Sequence, residues 1–198
     1  MPVLTLAIIM SLQSPPDFTP AELHVKEQLQ SVRGAMVWVS PDPRESKDKW
    51  VLSVDIENKG RNFDCTMIKP LNRLYALRIL GGNTVRKSLA VLPRLPKLDL
   101  FVATGTGLDD ADLIHIGKCK SLNKLDIGGE HVSGAGLKQI SGVRTLRRLF
   151  LYNTKIKDAD LAPLEKMTFL DQLVLPKTVT EGALEALAHK LKHTQVSQ

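Results

Sequence analysis

At 198 residues, 43% hydrophobic and 24% charged, the chain is long enough for one domain with a good core and too apolar for intrinsic disorder. Its formal charge of +6 is mild, and its Lys and Arg residues are scattered, without the dense basic runs and interleaved aromatics of a nucleic-acid-binding surface. Aromatics make up only 5% of the chain while leucine abounds, so the core is built from many similar aliphatic side chains, as repeats produce.

Residues 1–14 form an apolar run that falls short of the ~20 residues a membrane-spanning helix needs. Its length suits the core of an export signal, but no Lys or Arg precedes Lys26. Export and a cytoplasmic location therefore both stay open, and no membrane span is expected. Residues 15–50 read as an N-terminal cap. Thr19 and Glu22 form a capping box with Pro20 at the first helical position. Leu23, Leu29 and Val32 supply an apolar stripe, and Gly34 ends the helix. Residues 35–39 and 50–56 read as strands joined by a polar loop. The helix and hairpin that carry Trp38 and Trp50 suit the covering of the open end of the periodic region that begins at residue 51; a separate recognition module built around the two tryptophans is the alternative.

From residue 51 to 190 the pattern becomes periodic. Steps of 24 residues connect Ile79, Ala103, Ile127, Leu151 and Leu175. Two residues before these stand Leu77, Phe101, Leu125, Leu149 and Leu173, and three earlier again Leu74, Leu98, Leu122, Leu146 and Leu170. A fourth column reads Leu71, Leu95, Cys119, Val143 and Met167. The alternation at Leu149 and Leu151 marks a strand with one buried face. The three-residue step from Leu161 to Leu164, matched by Leu89 and Leu92, Leu113 and Ile116, and Leu137 and Ile140, fits one face of a helix. In the last unit Leu184 and Leu187 arrive one residue early, which shortens the final turn.

Each unit is then a coil of strand, turn, short helix and turn. A single coil cannot bury its own apolar side, so about five to six of them must stack. The predicted fold class is an α/β solenoid, with a curved parallel sheet inside and short helices outside. Thr106, Thr154 and Thr178 are placed to turn hydroxyls inward and satisfy turn backbone. Asp110 and Asp158 stand three residues before Leu113 and Leu161, where each can cap the helix of its own coil. Residues 191–198 form a polar tail expected to fray.

This register resembles the leucine-rich-repeat family, in its 24-residue bacterial variety common in planctomycete proteins, with residues 146–164 the best match. Leu149, Leu151, Thr154, Ile156, Asp158 and Leu161 all fall on the pattern. Gly82 and Glu130 depart from it in the turns, Thr84 and Val85 blur one buried position, and residues 62–66 are irregular. The resemblance implies protein-protein or ligand binding, generally without catalysis, and it transfers no catalytic residue.

No set of reactive side chains converges. Cys65 and Cys119 lie about two coils apart at ~4.8 Å per coil, beyond the ~7 Å a disulfide tolerates, so both are expected as free, buried thiols. His115 and Cys119 have the spacing of two ligands on one helix face, but Cys119 occupies a core column and no second pair completes a site. Residues 105–110 lack the third glycine and the lysine of a phosphate-binding loop. No catalytic residue, metal site or cofactor is expected.

The residues flanking the strand core positions should face solvent on the concave side: Arg78, Leu100, Val102, Lys124, Asp126, Arg148, Phe150, Tyr152 and Val174. Aromatic and apolar side chains beside Arg and Lys are the composition of an interface hot spot. The expected function is a protein-binding scaffold using this face. The alternatives are an inhibitor or regulatory subunit of a larger complex, an enzyme with an unrecognised site, or a face covered by the N-terminal segment or a second copy. No feature specifies an oligomer, so a monomer is expected.

Overall fold

A computed structural model describes residues 18–44, 50–57, 63–82 and 86–198. The apolar segment 1–14, the end of the polar loop and the blurred turn at Thr84 and Val85 lie outside the described residues.

The chain begins with α1 (Pro20–Ser31), whose capping box forms as the sequence predicts. Thr19 Oγ1 accepts from the Glu22 N–H, while the Glu22 carboxylate accepts from the Thr19 N–H at 3.0 Å. Val25 and Leu29 are its buried apolar residues, with Leu23 and Val32 only half-buried. A turn through Gly34, at φ +89°, leads into β1 (Ala35–Pro41). A Cβ on Gly34 would stand 2.4 Å from the Glu57 carbonyl oxygen, so the close approach of the next strand requires glycine there.

β1 pairs antiparallel with β2 (Trp50–Glu57). The remaining strands then stack in parallel and in chain order: β3 (Leu74–Leu80), β4 (Leu100–Thr104), β5 (Lys124–Gly128), β6 (Arg148–Tyr152), β7 (Gln172–Val174) and β8 (Gln195–Ser197). From β3 to β7 each strand aligns with the next at a step of 24 residues, as in Ala76, Leu100, Lys124, Arg148 and Gln172. The repeat read from the sequence is therefore the register of the sheet.

Ile79, Ala103, Ile127, Leu151 and Leu175 lie together in one continuous core, with no more than 1% of any of them exposed. Deleting any one of these larger aliphatics would cost about 2–5 kcal/mol. The return segments carry α2 (Leu113–Ile116), α3 (Gly134–Ile140) and α4 (Glu181–Lys190) on the outer side. Elsewhere the outer segment is a run of tighter 3-10 turns, at Cys65–Ile68, Arg86–Arg94, Asp158–Asp160 and Leu164–Lys166. Pro93 and Pro163 explain two of these, because proline has no N–H to extend an α-helical ladder.

Three expectations are corrected. First, the aspartates reach forward. Asp110 accepts from the Ser133 N–H at 2.8 Å, the Ser133 hydroxyl at 2.6 Å and the Gly136 N–H at 3.0 Å, capping α3 of the following coil. Asp158 likewise accepts from the Thr180 N–H and hydroxyl, at the start of α4. Second, the turn threonines do not act alike. Thr154 donates to the Leu151 carbonyl, exposed Thr178 to the Ile156 carbonyl, and the buried Thr106 hydroxyl has no partner. Third, the polar tail forms β8, where Val196 alternates with polar neighbours and Leu191 is buried. It closes the edge that β7 would otherwise expose. At the N-terminal end, Val25 and Leu29 of α1 lie in the core and one face of β1 packs on it. Ala35, Val37 and Val39 pack against the core, and Trp38 points the other way.

A ladder of hydroxyls between coils was not foreseen. Ser121, Thr145 and Thr194 donate to the carbonyls of Leu98, Leu122 and Leu170, each one coil back, at 2.7–2.8 Å. They satisfy turn carbonyls that the sheet ladder does not reach.

Candidate functional site

The strand registers line up two rows on the face opposite the core. One runs Trp38, Ser53, Ala76, Leu100, Lys124, Arg148 and Gln172. The other runs Met36, Asp55, Arg78, Val102, Asp126, Phe150 and Val174. Because side chains alternate along a strand, each row faces away from the core by the same period that buries its neighbours. All nine residues singled out from the sequence lie on this side.

They are not equally open. Leu100 and Val102 are only 8% and 9% exposed, packed with Ala76 and the half-buried Tyr75 in a small second cluster. Tyr75 is the extra residue where the β2–β3 register shifts. The segment after β1 reaches the same end of the sheet. The Arg44 guanidinium lies 4.7 Å from the centre of the Tyr75 ring and donates to the Lys97 carbonyl. Buried Asp42 accepts from the Arg44 N–H and from Lys97 Nζ. Burial alone would raise the Asp42 pKa, but these donors outweigh it and hold the carboxyl below its usual range. Val174 is also buried, between Phe150 and Ser197 of the strands on either side. Leu100, Val102 and Val174 are thus not the solvated positions the sequence suggested, because Tyr75 and the neighbouring strands shield them.

The half of the face on β5 and β6 remains open. Tyr152 is 42% exposed, and its ring stacks on Phe150 with centroids 6.0 Å apart. Lys124 Nζ sits 4.9 Å from the centre of the Phe150 ring. Arg148 is exposed beside them. Asp126, between Val102 and Phe150 in its row, is half-buried, and its Oδ1 has no hydrogen-bond partner. Burial pushes its pKa up, an effect that Lys124 only partly offsets. At the N-terminal end Arg78 is held by Asp55 at 3.0 Å.

Two features of this side lie outside those nine residues. Met36 and Trp38, 53% and 38% exposed, extend the face on β1. The period-2 alternation with Ala35, Val37 and Val39 was the signal that would have placed them there. Beyond the strand ends, an open groove of about 620 Å³ runs past Gly105, Gly129, His131, Tyr152 and Asn153. Gly105 in this groove takes positive φ where its strand ends, as do Gly81 and Asn153 at spacings that are multiples of 24. Among the described residues no group of three or more His, Cys, Asp or Glu is placed to hold a metal ion, and no helix is long and apolar enough to cross a membrane. Cys65 and Cys119 are both free and buried, and burial pushes their thiols up to about 12.

No protein-family model matches the sequence, and no curated protein matches it. Among solved structures, the chain is similar to an internalin (inlF) from Listeria monocytogenes, at 20% identity and a TM-score of 0.53 over 73% of this chain. This chain spans 38% of that internalin's length. An internalin C2 from the same organism aligns over 90% of this chain and 92% of its own, at 15% identity and a TM-score of 0.48. The leucine-rich-repeat ectodomain of the receptor kinase SOBIR1 from Arabidopsis thaliana aligns over 92% of this chain and 99% of its own, at 14% identity and a TM-score of 0.32. With eight strands of the described residues stacked in chain order over one continuous leucine-lined core, this protein has the leucine-rich-repeat solenoid fold.

Proposed function

We propose that the chain is a non-catalytic scaffold of the 24-residue bacterial repeat type, and that it binds a protein partner through the concave face of β5 and β6. The open cluster of Lys124, Arg148, Phe150 and Tyr152 carries this reading. A stacked aromatic pair is rigid, so little conformational freedom is lost on binding, and Arg with aromatic side chains is the usual composition of a hot spot. Asp126, half-buried beside them, lies in the same row as Phe150. Arg78, Leu100, Val102 and Val174 contribute support beneath and beside the contact.

The test compares the wild-type chain with the double variant Phe150→Ser and Tyr152→Ser, each immobilised and exposed to native lysate, with the retained protein then measured by direct titration. Both side chains lie outside the core, so the variant should melt close to the wild type. Loss of two hot-spot residues should weaken binding at least thirtyfold, at about 2 kcal/mol or more for such anchors. Equal affinity of the variant and the wild type would refute the assignment.

A further inference from the structure

We propose that the outer edge of β1 pairs with the same strand of a second copy, forming an antiparallel two-fold dimer centred on Trp38. Against the monomer expected from the sequence stands the chemistry of this edge. Among the described residues β1 is the terminal strand of the sheet, and its seven residues include no ionisable side chain. Natural edge strands are usually guarded by charges, bulges or a covering element. Here Met36 and Trp38 are among the most exposed large apolar side chains of the described residues.

The hydrogen-bonding capacity of the edge is self-complementary. The Glu57 N–H donates to the Gly34 carbonyl, so residues 34, 36, 38 and 40 bond inward to β2, and residues 35, 37, 39 and 41 present their backbone outward. The Ala35 N–H is already held by the Val32 carbonyl, and Pro41 has none. Among the described residues the free outward donors are therefore those of Val37 and Val39. A two-fold axis at Trp38 sets Val37 against Val39 of the second copy and Val39 against its Val37. All four donors then find carbonyls, and both pairs are complete. Shifting the axis to Val37 would pair Val39 with Ala35, whose N–H is already engaged, and leave that pair half made. In the favoured register the two Trp38 side chains meet at a non-hydrogen-bonded position, where facing side chains come closest.

A two-fold axis at Trp38 satisfies the same two donors of each copy by symmetry and brings the two exposed Trp38 side chains together. The +6 charge on each copy opposes association. At physiological salt, however, charges more than about 8 Å apart are largely screened, and none lies on the paired strands. The proposal is independent of the contact on β5 and β6, so either can fail without the other.

Cysteine cross-linking of the full chain tests it. Cα atoms facing each other at a non-hydrogen-bonded pair lie about 4.5 Å apart, within reach of a disulfide. Two Met36 positions would be offset by about four residues, or roughly 13 Å, and out of reach. The native thiols of Cys65 and Cys119 are buried and contribute little background. Under mild oxidation Trp38→Cys should form covalent dimer at least tenfold faster than Met36→Cys. Random collision would favour Met36→Cys, the more exposed site, so equal or reversed rates overturn the proposal. By sedimentation equilibrium, the wild type should dimerise with a dissociation constant at least tenfold below that of Val39→Pro. That variant removes an outward donor and no bond to β2. A wild type that stays monomeric across the concentration series, or a dimer that Val39→Pro does not weaken, likewise overturns it. Should Val39→Pro fail to fold, the cross-linking comparison decides alone.

Discussion

Replacing Asp110 by alanine should destabilise the coil after the one that contains it. In the wild type this carboxylate accepts three hydrogen bonds from the start of α3. The Gly136 N–H is shared with the Ser133 carbonyl, so it keeps a partner after substitution. The Ser133 hydroxyl is free to turn toward water and retains its own bond to the Ala135 N–H. The Ser133 N–H loses its acceptor outright. About 1 kcal/mol for that donor, and a similar amount for the other two together, gives a loss of about 2 kcal/mol, in line with removal of a helix cap. In a chain of this size that is about 4–8 °C in melting temperature. Amide hydrogen exchange is the decisive assay, because it reports which helix opens. Exchange should accelerate at Ser133, Ala135 and Gly136 while Leu113 and Ile116 stay protected. Acceleration confined to α2, or a loss below about 0.5 kcal/mol, would show that the carboxylate does not join the two coils as described.

Gly136→Ala should lower stability by about 1–3 kcal/mol despite the ~1 kcal/mol that alanine normally gains in a helix. Its Cβ would stand 2.5 Å from both Asp110 Oδ1 and Leu113 Cδ1, and the first is held by the cap while the second is buried. Urea denaturation reads the sign, and a stabilised variant would mean that the coils yield easily. Asp158 has its pKa held below 3.8, first by the backbone N–H of Thr180 and then by its hydroxyl. Its contribution is therefore present above pH ~3.8, the unfolded value, and is lost as pH falls through the lower folded value. The thermal advantage of the wild type over Asp158→Asn should shrink across that acid window, and a difference unchanged by pH would contradict the linkage. Cys65 and Cys119, with thiols pushed up to about 12, should resist alkylation at pH 8 in the folded chain, and both should react in denaturant. Rapid labelling of either by mass spectrometry of the native protein would contradict their burial.

The repeat itself was legible because burial follows a local rule. Leu149 and Leu151 alternate within one strand, Leu161 and Leu164 recur within one turn, and each of these spacings fixes a buried side without knowledge of the next coil. A 24-residue step then emerges from counting, and the capping box at Thr19 from adjacent residues alone. The side on which Lys124, Asp126, Arg148, Phe150 and Tyr152 emerge was legible for the same reason, since the row opposite a buried row has no other direction to take.

What the tertiary structure decided concerns contacts between chain segments whose relative placement no local spacing encodes. Leu100 and Val102 share the pattern of Phe150, yet they are covered because Tyr75 bulges beside them, at the end of the sheet that Arg44 crosses. Asp110 sits where a cap for its own helix would stand, but the offset between stacked coils brings the next helix N-terminus closer. The final residues carry no strong strand signal and become β8 only because β7 offers an open edge. The sequence determines which side chains leave water when each coil closes, as that depends on periods of two and three to four residues. Which outward side chains remain in water depends on the surfaces that stacking brings together, and only the assembled coils decide that.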